Sequence, residues 1–257
     1  MILDTITPVI LTWNEAPNIG RCLENLSWAR RIVVVDSGST DGTTTSVSDF
    51  SNTDLAFRTF DNHTDQWNFG IDRVDSEWVL SLDADYMLTQ DWLNEIRSLE
   101  PTDDTDAFYS PFAYKVFGKT LAGSLYPARA VLFRKSRARY KPDGHTQLLD
   151  FCGESKQLTS PILHDDRKSL ARWINSQQKY AELEAQKLMA STKHPLSNAD
   201  RIRQLTWLAP ILVPLYCLVI KRLAFQGKAG MYYSLQRTLA EVLLSLNLLH
   251  VKLRKSR

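Results

Sequence analysis

Two short apolar runs, each closed by an aspartate, constrain this chain more than any other feature. The first is Ile32-Val33-Val34-Val35, ending at Asp36; the second is Trp78-Val79-Leu80-Ser81-Leu82, ending at Asp83. Runs of this length without polar alternation fit strands buried on both faces, as in a parallel sheet covered by helices. β-Branched side chains suit such a pleated surface. A β-rich piece at residues 5–12 (TITPVILT) precedes them, followed by Ile19, Cys22, Leu23 and Leu26 at helical spacing. Strand, helix, strand, loop and helix in this order open a doubly wound α/β domain.

The rest of the chain extends that pattern. A short strand is expected near residues 55–60, helices at 66–74 and 90–99, and strands at 107–116 and 130–133. Thr89 stands where it would cap the second of these helices. Residues 169–191 read as a long polar helix, on which Trp173, Tyr180 and Leu183 are spaced as a packing face. With 257 residues there is room for one large domain and an appendage. The net charge of +2 gives a nucleic-acid partner no support. Cys22, Cys152 and Cys217 are odd in number and far apart, so neither a disulfide framework nor a cysteine zinc site is expected. The opening residues read as a strand rather than a signal segment, which suits a cytoplasmic protein.

The last third changes character. Residues 205–220 (LTWLAPILVPLYCLVI) carry no charge, but they fall short of the ~20 residues a straight span needs and contain Pro210 and Pro214. Lys221 and Arg222 follow at once. From residue 231 to 253, Leu235, Leu239, Val242, Leu243, Leu246 and Leu249 recur every three or four positions, and the helix ends among Lys252, Arg254, Lys255 and Arg257. This pattern fits monotopic attachment to an anionic membrane surface. A buried core helix, a true span, a re-entrant segment and a dimerising helical pair are the competing readings. The expected division is therefore a catalytic domain at 1–195, with a binding half at 1–100 and an acceptor half at 101–195, then a membrane-associating region at 196–257.

Both aspartate-closed runs end in loops at the carboxyl edge of a sheet, where ligands of open α/β folds bind. After Asp36 comes Ser37-Gly38-Ser39-Thr40-Asp41-Gly42-Thr43. Asp36 there can accept hydrogen bonds from a base or ribose, and the small residues let backbone N–H groups approach a phosphate. The plainer reading is a cap and a tight turn. The second loop is Asp83-Ala84-Asp85. Two carboxylates this close repel unless paired, and a hard divalent cation resolves the repulsion while bridging to a diphosphate. Such an ion would act as a Lewis acid on the departing nucleoside diphosphate. A solvated turn is the alternative.

Taken in order, Thr12-Trp13-Asn14-Glu15, VVVDSGSTDGT, Gln66-x-Asn68 and LSLDADY resemble the family 2 glycosyltransferases of GT-A fold. The chain is similar in particular to the bacterial branch that builds lipopolysaccharide core and other envelope glycans. The resemblance is strongest over residues 5–100. It implies a nucleotide-diphosphate sugar donor, a UDP-sugar foremost, a Mn²⁺ or Mg²⁺ ion, and a lipid-linked saccharide or lipopolysaccharide acceptor. It places the enzyme on the cytoplasmic face of the inner membrane. Thr12, Asn14, Glu15, Asp36, Gln66, Asn68 and Asp83 become donor-binding residues, with Asp41 in the same loop as Asp36. Asp83 and Asp85 become metal ligands, and His164 the later metal ligand. Trp67 stands where the family usually has a basic residue.

An inverting transferase also needs a carboxylate base for the acceptor hydroxyl. Related chains carry a His-Glu pair after an Arg-Tyr segment, whereas here Thr146 follows His145. Asp143 is the first candidate for the base. Asp165 and Asp166, beside Arg167 and Lys168, are the others. A sugar-phosphate nucleotidyltransferase and a dehydrogenase are disfavoured, since neither opening glycine-rich loop is present. The rival of another class is a non-catalytic membrane scaffold on a degenerate domain of the same fold.

Overall fold

The computed structural model of the chain describes residues 3–143, 146–190 and 197–255, the side chains of Asp143, Thr146 and Lys255 excepted. Contacts divide it into two compact units. One takes in the chain up to Lys115 together with Tyr126–Arg167; the other holds Val116–Leu125 and the chain from Lys168 on.

The first unit begins β1 (Ile6–Thr12), α1 (Ile19–Asn25), β2 (Ile32–Asp36), α2 (Thr43–Ser48), β3 (Thr53–Phe57), α3 (His63–Asp72) and β4 (Trp78–Asp83). Then follow β5 (Tyr86–Leu88), α4 (Gln90–Ser98), β6 (Thr105–Ser110) and β7 (Phe112–Val116). The two-residue β8 (Lys119–Thr120) lies in the second unit. The first resumes with β9 (Arg129–Arg134), a hairpin of β10 (Ala138–Asp143) and β11 (Thr146–Phe151), β12 (Glu154–Gln157) and β13 (Ile162–His164).

The main sheet runs β12-β6-β9-β4-β1-β2-β3. Strands β1 to β4 are mutually parallel, while β9 is antiparallel to both β4 and β6. The chain winds outward from β1 through β2 to β3, then returns to the opposite side of β1 as β4. That reversal makes the β1–β4 gap the switch point, where a crevice opens at the carboxyl ends of the strands. Thr12, Asp36 and Asp83 are the last residues of β1, β2 and β4. In a smaller sheet β13 lies between β5 and β7.

The apolar runs are buried on both faces, as expected. Ile10, Val34, Leu80 and Leu82 pack with Ile19 and Leu23 of α1 and with Trp92 and Ile96 of α4. Val9, Val33, Val35 and Val79 face the other way, onto Trp67 and Ile71 of α3. Helix α3 lies so close that a Cβ on Gly70 would stand 2.6 Å from Val9 Cγ1. It begins at His63 rather than near 66, because the Asn62 side chain caps it by accepting from the Asp65 N–H. Thr89 caps α4 as expected, accepting from Trp92 N–H. The strand expected at 107–116 is two strands, broken at Pro111, which has no N–H for the ladder.

The second unit consists chiefly of α5 (Leu170–Ala190), α6 (Asn198–Gln204), α7 (Leu208–Leu215) and α8 (Gly227–Lys255). Helix α5, expected to belong with the acceptor half, groups here with the C-terminal helices. It packs on α8 through Ala181, Ala185 and Leu188 against Leu244 and Leu248. Tyr180 and Leu183, expected on the packing face, are exposed instead, because the buried stripe of α5 runs through Ala181, Ala185 and Leu188, at i, i+4 and i+7. Within α8 the buried positions include Tyr233, Glu241, Ser245 and Leu248, while the expected apolar stripe residues Leu235, Leu246 and Leu249 face outward. Glu241 is paired with Arg203 of α6 at 2.9 Å. Among the described residues no single helix is long and apolar enough to cross a membrane; residues 208–220 and 223–254 form a pair bent by 69° that passes only together.

Candidate active site

The loops after β1 and β2 are stitched into one floor. Asn14, in a left-handed conformation at φ 56°, donates its N–H to Ser39 Oγ at 2.7 Å and accepts from Thr40 N–H at 2.7 Å. Glu15 N–H donates to Thr43 Oγ1 at 2.7 Å, and Ala16 N–H to Asp41 at 3.2 Å. Asp41 also takes the Thr43 hydroxyl at 2.5 Å, so it builds the loop. Its pKa is lowered, since these hydrogen bonds outweigh a burial that by itself would raise it.

Asp36 is buried beneath this floor. Oδ1 accepts from the N–H groups of Gly38 and Ser39 at 2.9 and 2.8 Å, and Oδ2 accepts from the hydroxyls of Thr12 and Ser39 at 2.9 and 2.5 Å. Those four bonds match the acceptor capacity of a carboxylate. The two hydroxyls can rotate away in favour of a ligand; the two backbone donors cannot.

Gln66 and Asn68, expected beside the diphosphate, point into the protein. Gln66 is fully buried, donating to Ser37 Oγ and Arg58 carbonyl oxygen at 2.9 and 3.0 Å and accepting from the Arg58 guanidinium at 2.7 Å. Asn68 exchanges two hydrogen bonds with the backbone of Tyr140, at 3.0 and 3.1 Å, and so fastens α3 to β10. Trp67 fills the space between these elements, stacked on Tyr140 at 5.6 Å. The side chain at this position serves the core.

The second acidic loop meets the end of β13. Antiparallel pairing sets His164 opposite Tyr86, and His164 Nε2 lies 3.3 Å from Asp85 Oδ2. Tyr86, Tyr114 and Tyr126 enclose the imidazole at 5.3, 4.6 and 4.9 Å. Burial alone would lower its pKa, but the charge of Asp85, a hydrogen bond to it, and Asp83 and Asp166 raise it. Nδ1 is buried and unbonded. Two donors held roughly 2.1 Å from one hard cation at a right angle stand about 3 Å apart, so the His164–Asp85 pair fits a divalent ion. Among the described residues no third His, Cys, Asp or Glu completes the group. Asp83 is near enough to act electrostatically on Tyr86, Tyr126 and His164.

Of the candidate bases, Asp165 is buried and enclosed by cations: Arg21 at 2.6 Å, Arg167 at 3.4 Å and Lys115 at 3.7 Å. Its own N–H donates to the Asp85 carbonyl at 2.9 Å. Asp166 accepts from Asn18 Nδ2 at 3.2 Å, which donates to Glu15 at 2.9 Å as well. Asn18 Oδ1 in turn accepts from Arg21 at 2.7 Å. Arg21 and Asn18 thus join α1 to the loop after β13, a role nothing near them in sequence announces. Asp143 ends β10, and its side chain, like Gly144 and His145, lies outside the described residues.

The family model described as Glycosyl transferase family 2 matches residues 7–153. The lipopolysaccharide core biosynthesis glycosyltransferase LpsC of Rhizobium meliloti (strain 1021) is 24% identical over 200 residues, covering 74% of each chain. A Rickettsia felis glycosyltransferase is 22% identical over 222 residues, covering 80% of this chain and 77% of that one. Among solved structures, S. aureus TarS 1-349 in complex with UDP-GlcNAc superposes with a TM-score of 0.52 at 13% identity, over 98% of this chain and 92% of that one, a likeness of fold.

Proposed function

Since the chain belongs to glycosyl transferase family 2, a glycosyltransferase using a nucleotide-sugar donor, we propose that it moves a sugar from a UDP-sugar to a lipid-linked or lipopolysaccharide-type acceptor. The observation that carries this reading is the meeting of Thr12, Asp36 and Asp83 at the carboxyl ends of β1, β2 and β4, with the Asp85–His164 pair beside them. The R. meliloti relative named for lipopolysaccharide core biosynthesis and the UDP-GlcNAc bound by S. aureus TarS point the same way.

In this proposal the nucleoside lies over the floor of Thr12, Asn14, Glu15 and Asp36, and the diphosphate reaches toward Asp83. Asp85 and His164 would hold Mn²⁺ or Mg²⁺, with Asp83 as a third ligand only once its side chain turns toward the ion, and the ion would supply positive charge to the departing diphosphate. The acceptor hydroxyl loses its proton to a carboxylate as it attacks the anomeric carbon from the face opposite the leaving group, so the configuration inverts. Asp143 is our assignment for that carboxylate. Asp165 has one carboxylate oxygen, Oδ2, ringed by three cations, and its backbone is tied to Arg21 and Asp85. Asp166 is tied to Asn18. Both keep the loop after β13 in place.

The second unit gives the acceptor its reason. Trp207, Ile211, Leu215, Val219, Ile220 and Phe225 are exposed, and Lys221, Arg222 and Lys228 lie among them in sequence. Apolar exposure on this scale marks an interaction surface. Phe117, Lys119, Lys228 and Tyr232 line a cavity of about 380 Å³ in the same unit. We assign this face to the anionic cytoplasmic leaflet of the inner membrane, in a peripheral or monotopic manner.

The test is transfer. Membranes incubated with radiolabelled UDP-sugar and the pure protein should gain label in the lipid or lipopolysaccharide fraction, and Asp83→Asn should abolish the gain. Release of label only as free sugar would remove the lipid-linked acceptor from the proposal.

A further inference from the structure

We propose that Arg129 is the residue that grips the donor's diphosphate, in place of the cation that position 67 lacks. The inference rests on the donor-site reading above. Trp67 is committed to the core against Tyr140, so the charge must come from elsewhere. Arg129 opens β9, which runs antiparallel to β4. Their pairing is Trp78 with Arg134, Val79 with Phe133 and Leu80 with Leu132, and Ser81 Oγ donates to Val131 carbonyl oxygen at 3.3 Å. The ladder ends at Leu80 and Leu132, and Arg129, at the start of β9, belongs to the same end of the sheet as Asp83, the last residue of β4.

The side chain is held but not used. Its guanidinium lies over the Tyr126 ring at 4.7 Å, and Tyr126 is hydrogen-bonded to Tyr86 through their hydroxyls. Tyr126 also meets His164 edge-on at 4.9 Å. A chain of contacts thus runs from the metal-ligand candidate to the guanidinium. Among the described residues none accepts a hydrogen bond from Arg129, which is exposed. A planar fork of N–H donors, oriented by an aromatic face and left open, matches two oxygens of a phosphate. Asp83 is within electrostatic reach of it, so a cation, a carboxylate and the ion that carboxylate would bind all converge on one anion. Glycosyl transfer leaves that anion with its negative charge, and stabilising it where it forms favours bond cleavage.

The experiment compares UDP and uridine binding, with Mn²⁺ present, to wild type, Arg129→Gln and Arg129→Lys, using calorimetry for UDP and ligand-observed NMR for uridine. Thermal unfolding checks that the variants are folded. Arg129→Gln should lose about 10- to 100-fold in UDP affinity, the range for a charge-assisted contact, and leave uridine unchanged. Arg129→Lys should recover part of the loss, since it keeps the charge without the fork. UDP affinity unchanged in Arg129→Gln would overturn the proposal and leave the donor site standing. Equal losses for UDP and uridine would overturn it too, because they would mark a structural role. No UDP binding by the wild type would overturn the donor site and Arg129 together.

Discussion

His164 Nε2 stands 3.3 Å from Asp85 Oδ2 because β13 pairs antiparallel with β5, the strand that leaves the second acidic loop. A residue far along the chain is thereby delivered to the carboxylates at the end of β4. If this pair shares an ion, His164→Ala weakens Mn²⁺-dependent nucleotide binding by at least about tenfold, a loss that removing even an outer-sphere partner produces. Removing the metal with a chelator should lower wild-type binding and leave the variant nearly unaffected. Calorimetry with and without chelator reads both effects.

Asp165 separates a positioning role from that of a base. Arg21, partly buried, pairs with the buried Asp165, and Arg167 and Lys115 add to the positive charge. Asp165→Asn leaves those cations uncompensated and should destabilise the fold by about 3 kcal/mol. Turnover in the surviving folded fraction should fall far less than on loss of a base. Denaturant unfolding beside initial rates tests this; a stable variant with turnover abolished would make Asp165 the base.

Gly70 sets the closeness of α3 to the sheet. A Cβ there meets Val9 Cγ1 at 2.6 Å and Val35 Cγ2 at 3.1 Å. Gly70→Ala should therefore destabilise the protein by about 1–3 kcal/mol through overpacking. The midpoint of urea unfolding should fall with an unchanged slope.

Much of the first unit could be read from sequence, and the reasons are local. β2 and β4 are short apolar runs, and the helix cap at Thr89 is a single side chain acting on a nearby N–H group; the cap at Asn62 went unread, so the expected start of α3 falls too late. β10 to β12 went unread because they are short and carry Lys141, Asp150, Lys156 and Gln157 in place of an apolar pattern, and β13 because it is only three residues long. Gln66 and Asn68 show the limit of a motif: spacing locates them on α3, but their inward direction depends on Ser37, Arg58 and Tyr140. Arg21 and Asn18 could not be found at all, since their partners Asp165 and Asp166 come together only after the fold closes.

The cysteines should react unequally. Cys152 is exposed, while Cys22 and Cys217 are buried. Burial first, then the nearby Asp85, pushes the Cys22 thiol up to about 12. At pH 8 it lies well below that value and stays protonated, hence unreactive. A thiol reagent at pH 8 should label one site quickly in the native protein and all three only after unfolding.

Membrane attachment is testable without truncation. Ile220→Glu with Phe225→Glu places two charges on the exposed apolar face. The double variant should fail to co-sediment with anionic vesicles that retain the wild type, while nucleotide binding is unchanged. Equal sedimentation of both proteins would place the lipid contact elsewhere.

The measurement that bears most directly on the donor site is calorimetric titration of UDP, GDP, CDP and dTDP, with and without Mn²⁺, into wild type and the Asp83→Ala/Asp85→Ala variant. Metal-dependent binding of UDP by the wild type, lost in the folded variant, is the expected result. No binding of any of the four by folded wild type, or equal binding by the variant, would contradict a nucleotide-sugar site at the ends of β1, β2 and β4.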